Sequence, residues 1–302
     1  MNQPKPSAIS KFLHYTRLWE VVVGILFYAL GAGLAWYLGK EIDWTVYLLG
    51  QAAVTTLQLS SYYLVGYYDL STPSMQRPAK PEDNQPDQNL SRSTMLVASL
   101  TTLTVGAVLT VLLFGRHAIN LPALFIIGVA FLLAFFYAVP PLRLIYSGYG
   151  ELSIAFFMAN LIPVLAFLLQ SGEIHRLLAM VTFPLTALYL AMGLVRSLPG
   201  YVLDLKYERK TLMVRLGWQR GMNLHNLLVL FTYLLVVMAA TLGLPWNIAW
   251  RALLSLPLGL FQIWQMNRIA SGAKPHWRLL TLTSMGTVIL TAYLLAFALW
   301  TL

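Results

Sequence analysis

Cysteine is absent from the 302-residue sequence. That excludes disulfide frameworks, thiolate catalysis, cysteine-ligated zinc and iron–sulfur clusters together. Charge is nearly as scarce: Asp, Glu, Lys and Arg make up 10% of the chain, under half the roughly 25% of an ordinary globular domain. A chain this long and this poor in charge cannot cover its surface for water. The five histidines, His14, His117, His175, His225 and His276, are scattered without metal-ligand spacing. A phosphate-binding glycine loop is also missing. Gly24, Gly31, Gly33 and Gly39 follow no strand, and they suit close helix packing instead.

What is present is hydrocarbon. Hydrophobic residues reach 58% and mean hydropathy is +0.68, so the solvent is mostly lipid. A membrane-crossing helix takes about 20 apolar residues. Nine stretches qualify, near 18–39, 44–68, 94–115, 119–139, 151–170, 177–198, 223–243, 246–266 and 279–301. The first is too long for the apolar region of a signal peptide. The expected fold is therefore all-α: a polytopic, integral membrane domain over residues 1–302. Its two long polar segments are 70–93 and 203–222. Counted by alternate sides, fifteen Lys and Arg lie on the N-terminal side, three on the other, and Arg196 and Arg251 inside spans. The positive-inside rule then predicts a cytoplasmic N-terminus and both polar segments in the cytoplasm. The net charge of +9 is a property of these loops and calls for no nucleic acid.

The chemistry is sought among only 11 acidic residues. Asp69 ends the second span in Gly66-Tyr67-Tyr68-Asp69, and Asp204 lies just past the sixth in Pro199-Gly200-Tyr201-Val202-Leu203-Asp204. Each precedes a basic segment, with Arg77 and Lys80 after the first and Lys206, Arg209 and Lys210 after the second. Carboxylates beside such clusters suit a Mg²⁺-bound diphosphate: the hard cation takes carboxylate and phosphate oxygens, and Arg and Lys neutralise the rest. Solvated residues at helix ends give the same pattern, so spacing alone leaves both readings open.

At these residues the sequence resembles the UbiA superfamily of intramembrane aromatic prenyltransferases. The segment from Pro199 to Gly217, with Asp204, a basic run and Thr211-Leu-Met-Val-Arg-Leu-Gly217, is similar to the family's second signature. Gly200 stands at that signature's first Asp, and Glu208 where the family usually has Gly. Tyr137-Ala-Val-Pro-Pro-Leu-Arg143-Leu-Ile-Tyr146 through Glu151 is similar to the 1,4-dihydroxy-2-naphthoate polyprenyltransferase branch. Ile162-Pro163 and Leu169-Gln170-Ser171-Gly172 fit that branch too. The first signature remains as Val65-Gly-Tyr-Tyr-Asp69-Leu-Ser-Thr-Pro73, with Val65 in place of its Asn and Pro73 in place of its last Asp.

The resemblance implies nine helices around a central cavity. It also implies transfer of an isoprenyl group from a polyprenyl diphosphate to an aromatic quinone precursor or another small apolar acceptor in the bilayer. Carried over position by position, Asp69 and Asp204 become the Mg²⁺-binding catalytic carboxylates, and Arg77, Lys80, Arg143, Lys206 and Lys210 become diphosphate contacts. Tyr68, Tyr146 and Tyr201 are cavity candidates, because aromatic faces stabilise allylic cation character, although headgroup-level tyrosines are routine. Arg196 stands where related sequences carry a small amide. A permanent cation in a span faces a cavity or a partner, so Arg196 either neutralises diphosphate or forms a structural pair. Two other functions stay open: a non-catalytic isoprenoid- or partner-binding member of the same fold, and a secondary transporter. The second is disfavoured, because no two spans in corresponding halves are broken alike.

Overall fold

The computed structural model describes residues 16–71 and 85–302. Among them the chain is all-helical, with a single isolated bridge between Ser147 and Lys210 and no strand. The helices are α1 (Leu18–Tyr37), α2 (Trp44–Ser71), α3 (Gln85–Gly115), α4 (Leu121–Ala138), α5 (Gly150–Phe156), α6 (Ile162–Ser171), α7 (Arg176–Ser197), α8 (Tyr201–Lys206), α9 (Leu212–Leu216), α10 (Trp218–Thr241), α11 (Trp246–Leu253), α12 (Leu256–Ala270) and α13 (Trp277–Thr301).

Seven helical stretches among the described residues are long and apolar enough to cross a membrane. Two of the expected spans fall outside this set for physical reasons. α2 has the length, but Gln51, Thr55, Thr56, Gln58, Ser60 and Ser61 make it polar. The stretch 246–266 is broken at Leu254 and Ser255 into α11 and α12. α3 begins at Gln85, so the end of the predicted 70–93 segment is helical.

Helix starts follow local chemistry. Asp43 Oδ1 accepts from the Thr45 and Val46 amides at the head of α2 (2.8 and 3.1 Å), and Asn120 Oδ1 accepts from Ala123 N at α4 (2.9 Å). Such caps satisfy donors that a helix cannot satisfy itself. A π-helical turn, Phe157–Leu161, joins α5 to α6. Pro163 has no N–H for the Ala159 carbonyl, which favours a widened turn there. Asn160 inside that turn bonds Thr182 and Thr186 of α7, the interhelical use of a polar residue expected within a span.

The core lies along α1, α5, α6, α7 and α13, where Phe27, Tyr28, Leu34, Met158, Leu168, Leu185, Met192 and Leu299 are buried. Gly31 is fixed by packing: a Cβ there would stand 2.1 Å from the Pro163 carbonyl oxygen. α3, α4 and α10 instead present Val97, Val108, Phe114, Phe125, Leu227 and Leu234 outward. In water these would form an aggregating surface; in a bilayer they face acyl chains. Trp300 stacks between Trp36 and Trp44, with ring centroids 6.2 and 6.0 Å away. This interfacial aromatic cluster marks the end of the bundle opposite Asp69.

Candidate active site

Asp69 closes α2 at one end of the bundle, and the segment between α4 and α5 folds over it. Arg143 Nη2 donates to Asp69 Oδ1 at 2.6 Å, and the Tyr146 hydroxyl donates to Oδ2 at 2.9 Å. The Arg143 and Asp69 side chains are 11% and 21% exposed, so the pair is mostly withdrawn from solvent. Its charge-assisted bonds are correspondingly strong. Burial, then the adjacent carboxylate, push the Tyr146 phenol above its ordinary range. Tyr146 therefore stays a hydrogen-bond donor at every physiological pH.

The second signature reaches the same place through its turn. The Arg209 amide donates to the Asp204 carbonyl at 2.9 Å, closing the end of α8. Glu208 adopts the left-handed backbone there, with φ 55. Glycine takes that conformation freely, whereas another residue pays about 1–2 kcal/mol, which explains the family's usual Gly at this position. The turn lays Arg209 over Tyr146, 5.0 Å from the ring centroid, with Arg143 at 4.9 Å from the same ring. The Ser147–Lys210 bridge ties the two segments by their main chains. Arg209 Nε is buried without a hydrogen-bond partner. Gly148 (φ +85) lets Arg215 pass, since a Cβ there would lie 1.9 Å from Arg215 Cδ. Arg215 then sits 4.4 Å from the Tyr149 ring centroid.

The structure thus gathers Asp69, Arg143, Tyr146 and Arg209, ties Lys210 to Ser147 by its main chain, and connects Asp204 to them through the Arg209 turn. The remaining candidates make ring contacts of their own. Lys206 sits 5.7 Å from the centroid of its neighbour Tyr207. Tyr201 packs edge-on against Trp218 (5.4 Å). Tyr68 packs on Tyr67 (5.1 Å), whose hydroxyl accepts from Arg92 Nη2 of α3 at 2.9 Å. Arg77 and Lys80 lie outside the described residues. Val65 is 2% exposed and packs with Tyr137 and Ala138, so it offers no ligand.

Arg196 donates from Nη1 to Glu20 Oε1 at 2.6 Å and lies over Trp19, 4.8 Å from its ring centroid. Arg17 approaches the same oxygen at 3.6 Å, and Glu20 is 1% exposed. Gln58 Nε2 donates to the Glu20 carbonyl at 2.9 Å. Arg17 is also within electrostatic reach of Asp69, so this buried ionic group adjoins the site. Sequence reading missed Glu20; its only signal was an acid three residues after Arg17 at the start of a span. Glu151 was missed as well. It accepts from Ser197 Oγ (2.7 Å) and from the Leu212 amide (3.0 Å), pinning the 203–217 segment to α5 and α7.

Among the described residues no three His, Asp or Glu converge as a metal cluster. The two Asp69 carboxylate oxygens accept from Arg143 and Tyr146 and keep lone pairs for a cation; a Mg²⁺ there would take further oxygens from a diphosphate, because Mg²⁺ is commonly held by one or two carboxylates plus substrate phosphates.

Comparison with known proteins supports the same reading of the fold. A UbiA homologue from Archaeoglobus fulgidus bound to DMAPP and Mg²⁺ superposes with TM-score 0.68 at 17% identity, covering 97% of this chain and 100% of that one. The homologue bound to GPP and Mg²⁺ gives 0.64 at 18%, covering 97% and 100%. A digeranylgeranylglyceryl phosphate synthase gives 0.64 at 17%, covering 98% and 99%. No curated protein sequence matches. The model of the UbiA prenyltransferase family matches residues 25–285, and the chain belongs to that family.

Proposed function

We propose that the protein transfers an isoprenyl group from a polyprenyl diphosphate to a small aromatic acceptor within the membrane, in the manner of the 1,4-dihydroxy-2-naphthoate polyprenyltransferase branch. The observation that carries this reading is the cationic cradle around Asp69. Arg143 and Arg209 flank Tyr146, Lys210 is bridged to Ser147, and Arg209 Nε is a buried donor with nothing to bond. Fixed cations where negative charge develops lower the barrier to its departure.

In the reaction the bond between the prenyl C1 and diphosphate oxygen breaks, C1 bonds to a ring carbon of the acceptor, and that carbon gives its proton to the departing diphosphate. Arg143, Arg209 and Lys210 stabilise the departing diphosphate. Asp69 holds Arg143 and Tyr146 in place, and the Tyr146 face lies where it can stabilise cation character on C1. Asp69 and Asp204 would hold a magnesium ion, which supplies Lewis-acid neutralisation of phosphate oxygen when bound. The positive-inside count supports a site open to the cytoplasm.

Val65, buried in an apolar cluster where the family signature has Asn, favours a second reading: a non-catalytic isoprenoid-binding member. Incubating the purified protein with labelled geranyl diphosphate or a longer polyprenyl diphosphate, Mg²⁺ and a membrane lipid extract separates the two. A labelled prenylated product with free diphosphate supports the enzyme. Saturable binding without product supports the non-catalytic reading, and neither result would sink both.

A further inference from the structure

The chain's last acidic residue is Glu208, and the 94 residues after it contain none. Cations in this part of the molecule therefore find no carboxylate nearby in sequence. Among the described residues neither Arg268 nor Lys274 forms an ion pair. Both lie where α12 turns into α13. The Gly272 amide donates to the Ile269 carbonyl and the Ala273 amide to the Arg268 carbonyl, each at 3.0 Å. Gly272 has φ +92, the left-handed cap that ends a helix and reverses the chain.

The reversal opens a cavity of about 440 Å³ between the two helices. Arg268, Lys274 and His276 line its polar mouth, and Phe261, Trp264 and Leu279 its apolar wall. The Arg268 guanidinium is held against that wall, 5.2 Å from the Trp264 ring centroid. α13 starts at the same mouth, with no side chain capping its first turn and no acid in it, so its helix dipole adds positive potential. The site lies at the Asp69 end of the bundle: Trp277 packs edge-on against Trp218 at 6.1 Å, and Trp218 meets Tyr201 beside Asp204.

We propose that this cavity binds an anionic phospholipid, its headgroup phosphate between Arg268, Lys274 and the start of α13 and an acyl chain along Phe261, Trp264 and Leu279. Unneutralised cations at a membrane interface call for an anion. The exposed apolar wall of Phe261, Trp264 and Leu279 makes that anion a lipid, since basic pockets between spanning helices recognise anionic headgroups. The site lies outside the proposed catalytic cluster and does not depend on the chain being an enzyme.

The test uses the full-length protein, delipidated in neutral detergent and titrated with short-chain phosphatidylglycerol, phosphatidylcholine or inorganic phosphate. Native mass spectrometry and thermal stability are read together. The expected result is retention of, and stabilisation by, phosphatidylglycerol alone. Arg268→Gln/Lys274→Gln should weaken that affinity about 10- to 30-fold, at roughly 1 kcal/mol per interfacial charge. Ala273→Phe, which fills the cavity at constant charge, should weaken it too. Arg116→Gln/Arg220→Gln, removing the same charge elsewhere, should not. Equal retention of the two lipids, an unaltered Arg268/Lys274 variant, an equal loss in the Arg116/Arg220 control, or full replacement of phosphatidylglycerol by inorganic phosphate would each overturn the proposal.

Discussion

Glu20 ties α1 to α7 through its bond from Arg196. Its carboxylate is buried between two arginines, with Arg196 at 2.6 Å and Arg17 at 3.6 Å. Glu20→Gln leaves two cations facing each other beside a neutral amide. Breaking a buried pair in that way costs about 3–5 kcal/mol. Arg196→Gln is milder. Arg17 remains to neutralise Glu20, and the Arg196 side chain is 34% exposed, so the expected cost is about 1–3 kcal/mol, that of a lost charged hydrogen bond. The double variant keeps only Arg17 charged and should be more stable than Glu20→Gln alone, a coupling of opposite sign to simple addition. Thermal unfolding of the purified proteins in one detergent at neutral pH gives the ranking directly. An Arg196→Gln protein with wild-type stability and lost prenyl-diphosphate affinity would refute the reasoning and return Arg196 to the diphosphate role read from the sequence.

Gly148→Ala should destabilise by more than about 1 kcal/mol, because φ is positive and the methyl group would displace Arg215 from Tyr149; the same thermal assay reads it. Glu151→Ala removes the acceptor for Ser197 and Leu212. Hydrogen exchange should rise within 203–217 while α1 and α7 stay protected, at a local cost of about 1–3 kcal/mol. A reporter fused after Gln219 should signal on the cytoplasmic side. An external signal would contradict the orientation predicted from charge.

The membrane fold was legible because composition leaves few options: 58% apolar residues and 10% charged cannot form another class. Span boundaries were less so. The break at Leu254–Ser255 carries no charge, and Pro257 at the start of α12 is a residue that spans tolerate. Asp69 was legible from its motif, and Arg143 and Tyr146 from theirs. Their convergence was not, because the bonds join residues 74 and 77 positions apart. Arg209 lay in plain view in the basic run, yet its place over the Tyr146 ring comes from the left-handed turn at Glu208, which no periodicity reveals. The Glu20–Arg196 pair joins residues 176 apart. The sequence showed a cation that needed a partner and left its identity to tertiary structure.

The central claim is that the Asp69 cluster drives loss of diphosphate from a prenyl diphosphate. Its most direct test is diphosphate release by the full-length protein in lipid nanodiscs, supplied with a prenyl diphosphate, Mg²⁺ and a membrane lipid extract as the source of acceptor, alongside Asp69→Asn and Asp204→Asn. The expected result is Mg²⁺-dependent release by the wild type and a fall of ~10²-fold or more in each variant. Wild-type rates in Asp69→Asn, with Arg143 and Tyr146 deprived of their carboxylate, would contradict it.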